Sequence, residues 1–125
     1  MEIATCSYAA FQPTMGTAIR ISLGGPHRPE PSGREHWLYV AELAPRGWYF
    51  NAEPDVFARC YLEQLDRLSD DIEAKLGLLA DEFGAVALCC FERRVRGPED
   101  CHRRLWAQWW TEHVTGEEVP EHDGR

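Results

Sequence analysis

Lysine and methionine are scarce in this chain, and long apolar runs are missing. Of 125 residues, Lys75 is the only lysine, against twelve arginines and two methionines. The arginine bias reflects coding-DNA composition more than chemistry. No stretch approaches the ~18 apolar residues that a helical bilayer span needs. Residues 1–10 have no basic position ahead of their apolar stretch and carry Glu2, unlike a secretory leader. A cytoplasmic protein is therefore expected. Five cysteines is an odd count with neither zinc-finger pairs nor a disulfide framework, so thiols in a reducing compartment are expected. No metal or other cofactor is implied. A net charge of −8 argues against broad binding to duplex nucleic acid.

The charge is unevenly spread. Arg93, Arg94, Arg96, Arg103 and Arg104 fall close together, while acids concentrate from Glu63 to Glu82 and from Glu117 to Asp123. A local basic patch on an acidic protein suits a small anion. The length fits one domain with a modest core. We take it as residues 1–116, with 117–125 as a charged tail that packs little.

Glu2 to Tyr8 and Thr17 to Leu23 read as strands. In the second, Ile19 and Ile21 share one face, with Ala18, Arg20 and Ser22 on the other. Gly24 to Gly33 is rich in proline and glycine, the composition of a loop. Trp37 to Leu43 reads as a helical turn stopped by Pro45-Arg46-Gly47. From Asp55 to Phe83, apolar residues recur every three or four positions: Phe57, Tyr61, Leu65, Leu68, Ile72, Leu76, Leu79 and Phe83. A straight helix of that length would reach about 43 Å, too long for so small a domain. A break is expected near Ser69-Asp70-Asp71, with Asp70 and Glu73 as a new capping box and Gly84 as the C-cap. Ala85 to Phe91 is apolar almost throughout, like a strand buried on both faces. Gly97-Pro98-Glu99-Asp100 opens a last helix that runs through His113 and ends at Gly116. The fold class expected is α/β, a small and largely parallel sheet with packed helices.

The densest chemistry spans Leu88 to Arg104. A buried strand delivers Cys90 and Glu92 to its end. Cys101, His102, Arg103 and Arg104 then gather at the start of the last helix, where α/β proteins bind anions. Cys101 reads as a thiolate favoured by the helix dipole, or as a small cysteine filling space under the helix. His102 reads as acid or base, Arg103 as an oxyanion clamp, and Glu92 as the group that orients them. Cys90, Arg104 and Arg20 are candidate substrate contacts. Cys89 and Cys90 must face opposite sides of the strand, so at most one reaches the site. Trp106, Trp109 and Trp110 form an aromatic helical face, for core packing or for a partner.

Leu88-Cys89-Cys90-Phe91-Glu92 followed by Cys101-His102-Arg103-Arg104-Leu105 resembles the signature of the bacterial family called domain of unknown function 488. Its apolar strand ends in Cys-x-Glu and leads to Cys-His-Arg at the last helix. Phe57, Tyr61 and Leu65, and the segment Trp37 to Pro45, resemble what precedes it. The loop from Arg93 to Asp100 is longer and more basic than the family's turn, and the strand with Arg20 lacks its Asp-Val-Arg triplet. The resemblance implies a parallel α/β fold and no agreed activity. The compact form resembles versions from actinobacteria and their phages, which implies a host-interaction role. Two functions are therefore carried forward. One is an enzyme-like site for phosphate- or nucleotide-containing substrates. The other is a non-catalytic protein that binds a host protein through its Trp-rich helix or basic loop.

Overall fold

The computed structural model describes residues 2–91 and 102–122. The chain forms a five-stranded, all-parallel sheet with helices, the α/β class expected. The strands are β1 (Glu2–Ser7), β2 (Thr17–Arg20), β3 (Leu38–Tyr39), β4 (Ala85–Cys90) and β5 (Glu121–His122). Their order across the sheet is β3-β2-β4-β1-β5. The apolar strand β4 lies at the centre, with Val86, Ala87, Leu88, Cys89 and Cys90 all buried. A strand with neighbours on both edges and cover on both faces has no polar side to show, which is why its sequence does not alternate.

The long apolar stripe folds as two helices, α1 (Pro54–Arg67) and α2 (Ser69–Phe83). They break where the sequence led us to expect. Leu68 adopts φ −100°, ψ 14°. Its amide still donates to Gln64 (3.0 Å), and its carbonyl accepts from Ile72 (2.9 Å), so the ladder bends without losing bonds. The cap itself differs from expectation. Leu68, without a side-chain hydrogen bond, holds the N-cap position, and Asp70 sits inside the first turn of α2. An acid there still meets the positive end of the helix dipole. Gly84 closes α2 at φ 76°, where its amide returns to Ala80. The last described helix, α3 (His102–Trp110), continues through a π turn at Thr111–Thr115 to Gly116 at φ 73°. The helix start expected at Gly97–Asp100 lies outside the described residues.

The two faces of the sheet are covered differently. Ile3, Ile19, Ile21, Val86, Leu88 and Cys90 join Tyr61, Leu65, Ile72, Leu76 and Leu105 in one apolar cluster under the three helices. Phe57 and Leu68 pack against that cluster half-buried. The opposite face carries Cys6, Tyr8, Ala18, Ala87 and Cys89. Its cover is irregular chain, with Ala10, Phe11, Met15 and Trp37 packed on it. Helices were expected on both faces. The link between β1 and β2 is too short for one and crosses as the single turn Pro13–Met15.

Two segments depart from their sequence reading. Trp37 to Leu43 does not begin as a helical turn: Leu38–Tyr39 is β3, paired with Ile19 and Arg20, and only Ala41–Leu43 turns. The described part of the tail, residues 117–122, packs on the domain. Val119 is buried, and Glu121–His122 adds β5 to the outer edge of β1. A charged composition implied solvation, but Glu121 finds two arginines of α3.

Candidate functional site

The site expected at the carboxyl ends of the strands is bounded by β1, β2, β4 and the start of α3. His102 and Arg103 open α3 on the helical face of the sheet, and both are buried. Helical periodicity carries Leu105, Trp106 and Trp109 into the core as well, so the first turn is pressed onto the strand ends.

Arg103 is fully buried. Its Nε and Nη2 grip Glu121 in a fork, at 3.0 Å to Oε1 and 2.8 Å to Oε2. Its Nη1 donates to Cys90 Sγ at 2.9 Å. Arg104 donates to Thr5 Oγ1 (2.7 Å) and to the Val119 carbonyl (3.1 Å). Thr5 Oγ1 in turn donates to Glu121 Oε1 at 2.6 Å. One charge-assisted chain thus runs from Arg104 through Thr5 and Glu121 to Arg103 and Cys90, tying α3, β1, β4 and β5 together. A guanidinium taken out of water must be paired to be tolerated, and a bidentate carboxylate is its best partner. Glu121, which sequence reading had left in the tail, was missed as that partner. The available signal was an arginine in an apolar helical stripe, which demands a buried acid.

His102 Nε2 lies 2.7 Å from the Ile21 carbonyl, so that nitrogen carries the proton and donates. Its ring meets Tyr61 edge-on at 5.5 Å, and Tyr61 donates to the Leu43 carbonyl at 2.6 Å. His102 therefore clips α3 to the end of β2. Arg20 does not join this group. It shares the sheet face of Ala18, donates to the Ser22 carbonyl at 2.9 Å and to Leu23, and lies 4.0 Å over the Tyr39 ring. Cys90 does reach the site, and Cys89 faces away among the opposite cluster, as alternation required. The structure brings together Cys90, His102, Arg103 and Arg104. Glu92 and Cys101 lie outside the described residues.

A second group of side chains stands past β1 on the opposite face of the sheet. Tyr8, just past β1, hydrogen-bonds Ser22 Oγ at 2.6 Å and packs edge-on with Trp37 (5.3 Å) and Phe91 (4.9 Å). Burial pushes the Tyr8 phenol well above its usual range, against the bond from Ser22, so it acts as a neutral hydrogen-bonding group. Phe91 is half exposed beside it.

Trp106, Trp109 and Trp110 are buried, and Trp109 Nε1 donates to Asp66 at 2.8 Å. They are core, which removes the Trp-rich helix as a partner surface. Among the described residues no three His, Cys, Asp or Glu side chains gather as metal ligands, and no helix is long and apolar enough to cross a membrane. Comparison with protein-family models, curated proteins and solved structures finds no match.

Proposed function

We propose that this protein binds a small phosphate-class anion, with a nucleotide as the best fit, in the crevice at the carboxyl ends of β1 and β4. One observation carries the reading. The chain leaves β1 across the irregular face, whereas the helix after β4 packs on the helical face. Neighbouring parallel strands whose connections part to opposite faces leave an opening between their carboxyl ends, and α/β proteins bind ligands there. Ser7 and Cys90 are register partners at that opening.

Within this reading His102, Arg103 and Arg104 build the frame and do not grip the ligand, because their bonds go to Ile21, Glu121, Thr5 and Val119. The positive charge would come from Arg93, Arg94 and Arg96, three to six positions after Cys90 in sequence. Cys101 as thiolate contact and Glu92 as its orienter are supported by their sequence adjacency to His102 and Cys90, and by the Cys-His-Arg resemblance. Phe91 offers a half-exposed ring on which a base could stack.

Calorimetric titration with inorganic phosphate and with a nucleoside triphosphate tests this. Wild type should bind, and the triple variant R93A/R94A/R96A should fold normally and lose affinity about tenfold or more, the scale of several charge-assisted contacts. No binding by wild type sinks the reading. A second reading, a protein partner, rests on Trp48 at 78% and Phe50 at 51% exposure, close together after β3.

A further inference from the structure

On the face of the sheet away from the helices, Cys6 and Cys89 are register partners on β1 and β4, both fully buried. Register pairing on neighbouring parallel strands sets their side chains next to each other on that face. A third sulfur completes the group: Met15 Sδ lies 3.9 Å from Cys6 Sγ. Met15 is half-buried at the end of the turn Pro13–Met15, held there by its amide bond to the Gln12 carbonyl at 2.8 Å.

We propose that Cys6, Cys89 and Met15 form a three-coordinate site for a soft monovalent cation of the copper(I) class. Three arguments converge. The first is donor chemistry: two thiolates and a thioether, with no nitrogen or oxygen side chain among them, select soft ions over zinc, calcium or magnesium. The second is spacing. Metal–sulfur bonds of about 2.3 Å at equal angles put neighbouring sulfurs about 4 Å apart, close to the distance observed between Cys6 and Met15. The third is access. Met15 lines a cleft of about 440 Å³ together with Ala4, Thr14 and Ala85. Glu2 and Glu118 also line it, which gives an approaching cation an acidic mouth with a thioether beside it.

Binding is a ligand exchange without redox change. Copper(I) leaves its carrier, two Cys S–H protons pass to solvent, and two thiolates and the thioether take the metal. The resulting centre carries one net negative charge. Proton release makes affinity rise with pH.

The test is anaerobic titration of the reduced full chain with copper(I) against a competing chromogenic chelator. Wild type should retain one equivalent, with a sulfur-only shell of three atoms in copper X-ray absorption. Met15→Leu nearly conserves volume and should weaken binding tenfold or more, leaving two sulfurs in the shell. Cys89→Ala should abolish the tight equivalent, while Cys60→Ala keeps it. Should Cys89→Ala fail to fold, Met15→Leu decides. Unchanged affinity and an unchanged shell in that variant overturn the site, as does wild type that yields all its copper to the chelator.

Discussion

The two faces of the sheet are built on different physical plans. Under the helices, large aliphatic and aromatic side chains interlock, and two ion pairs join elements at the margin: Arg103 with Glu121, and Lys75 with Glu42 at 2.5 Å. Across the sheet the strand residues Cys6, Ala18, Ala87 and Cys89 are small or sulfur-bearing, and the cover is loop held by local polar contacts. Arg28 donates to the Tyr8 carbonyl (3.2 Å), and Trp37 donates to that of Arg28 (3.2 Å). Glu30 accepts from the Ser32 and Arg34 amides at 3.0 and 2.9 Å. The larger apolar cluster lies on the first face, and the second has a smaller one under irregular chain.

Substitutions can break that contrast, and the largest effect should come from the buried ion pair. Arg103→Ala strands Glu121 and should cost roughly 3–5 kcal/mol, read as a shift in the urea midpoint. A loss below about 1 kcal/mol would show that the pair is not what holds β5. Next come the helical leucines. Leu65→Ala or Leu76→Ala should cost about 2–5 kcal/mol, whereas Cys89→Ala on the opposite face should cost clearly less in the same assay. Equal costs would erase the asymmetry.

Gly16 marks where the irregular face is least forgiving. It sits at φ 114°, and an added Cβ would run into the Ala85 carbonyl. Gly16→Ala should therefore destabilise by about 1–3 kcal/mol, against an expected gain or neutrality for Gly77→Ala inside α2, where a Cβ meets open space. A thermal melt compares the two.

The smallest effect is a pH dependence. Burial would raise the Glu30 carboxyl, but the Ser32 hydroxyl, the two amides and Arg34 outweigh it and hold the group below its ordinary range. A carboxylate depressed in the folded state stabilises above its unfolded pKa. That contribution is lost as pH falls below about 4.5 and on through the folded value. The Trp37 indole resonance should thus shift on acidification before the indoles of α3 do. Glu30→Gln should show the shifted resonance already at neutral pH. Simultaneous movement of all the indoles would mean that the loop melts only with the domain.

The same contrast decided what could be read from sequence. The α1–α2 stripe is periodic, so helix, buried face and break were all legible. β4 was legible because a doubly covered strand is apolar throughout. The irregular face has no period, so its sulfur group depends on the register between Cys6 and Cys89, which no local pattern encodes. β3 and β5 are two residues each, too short for alternation, and β5 lies in acidic surroundings. Arg103 was read as an oxyanion clamp; in the fold its guanidinium pairs with Glu121, 18 positions further on, through a contact that no local pattern announces. His102 and Arg104 likewise turned out to bind main chain at Ile21 and Val119, and nothing in their neighbours indicates that.

The position of β5 bears on how the molecule is made. On a ribosome, α3 emerges ahead of Glu121, so for a time its arginine has no carboxylate to enter the core with, and the outer edge of β1 lacks the bonds that Thr5 makes to Pro120 and Glu121. An uncovered parallel edge is an invitation to pair with another nascent chain. The segment carrying Glu121 is thus a closing step: until it docks, Arg103 lacks its carboxylate and the outer edge of β1 stays open to pairing with another chain.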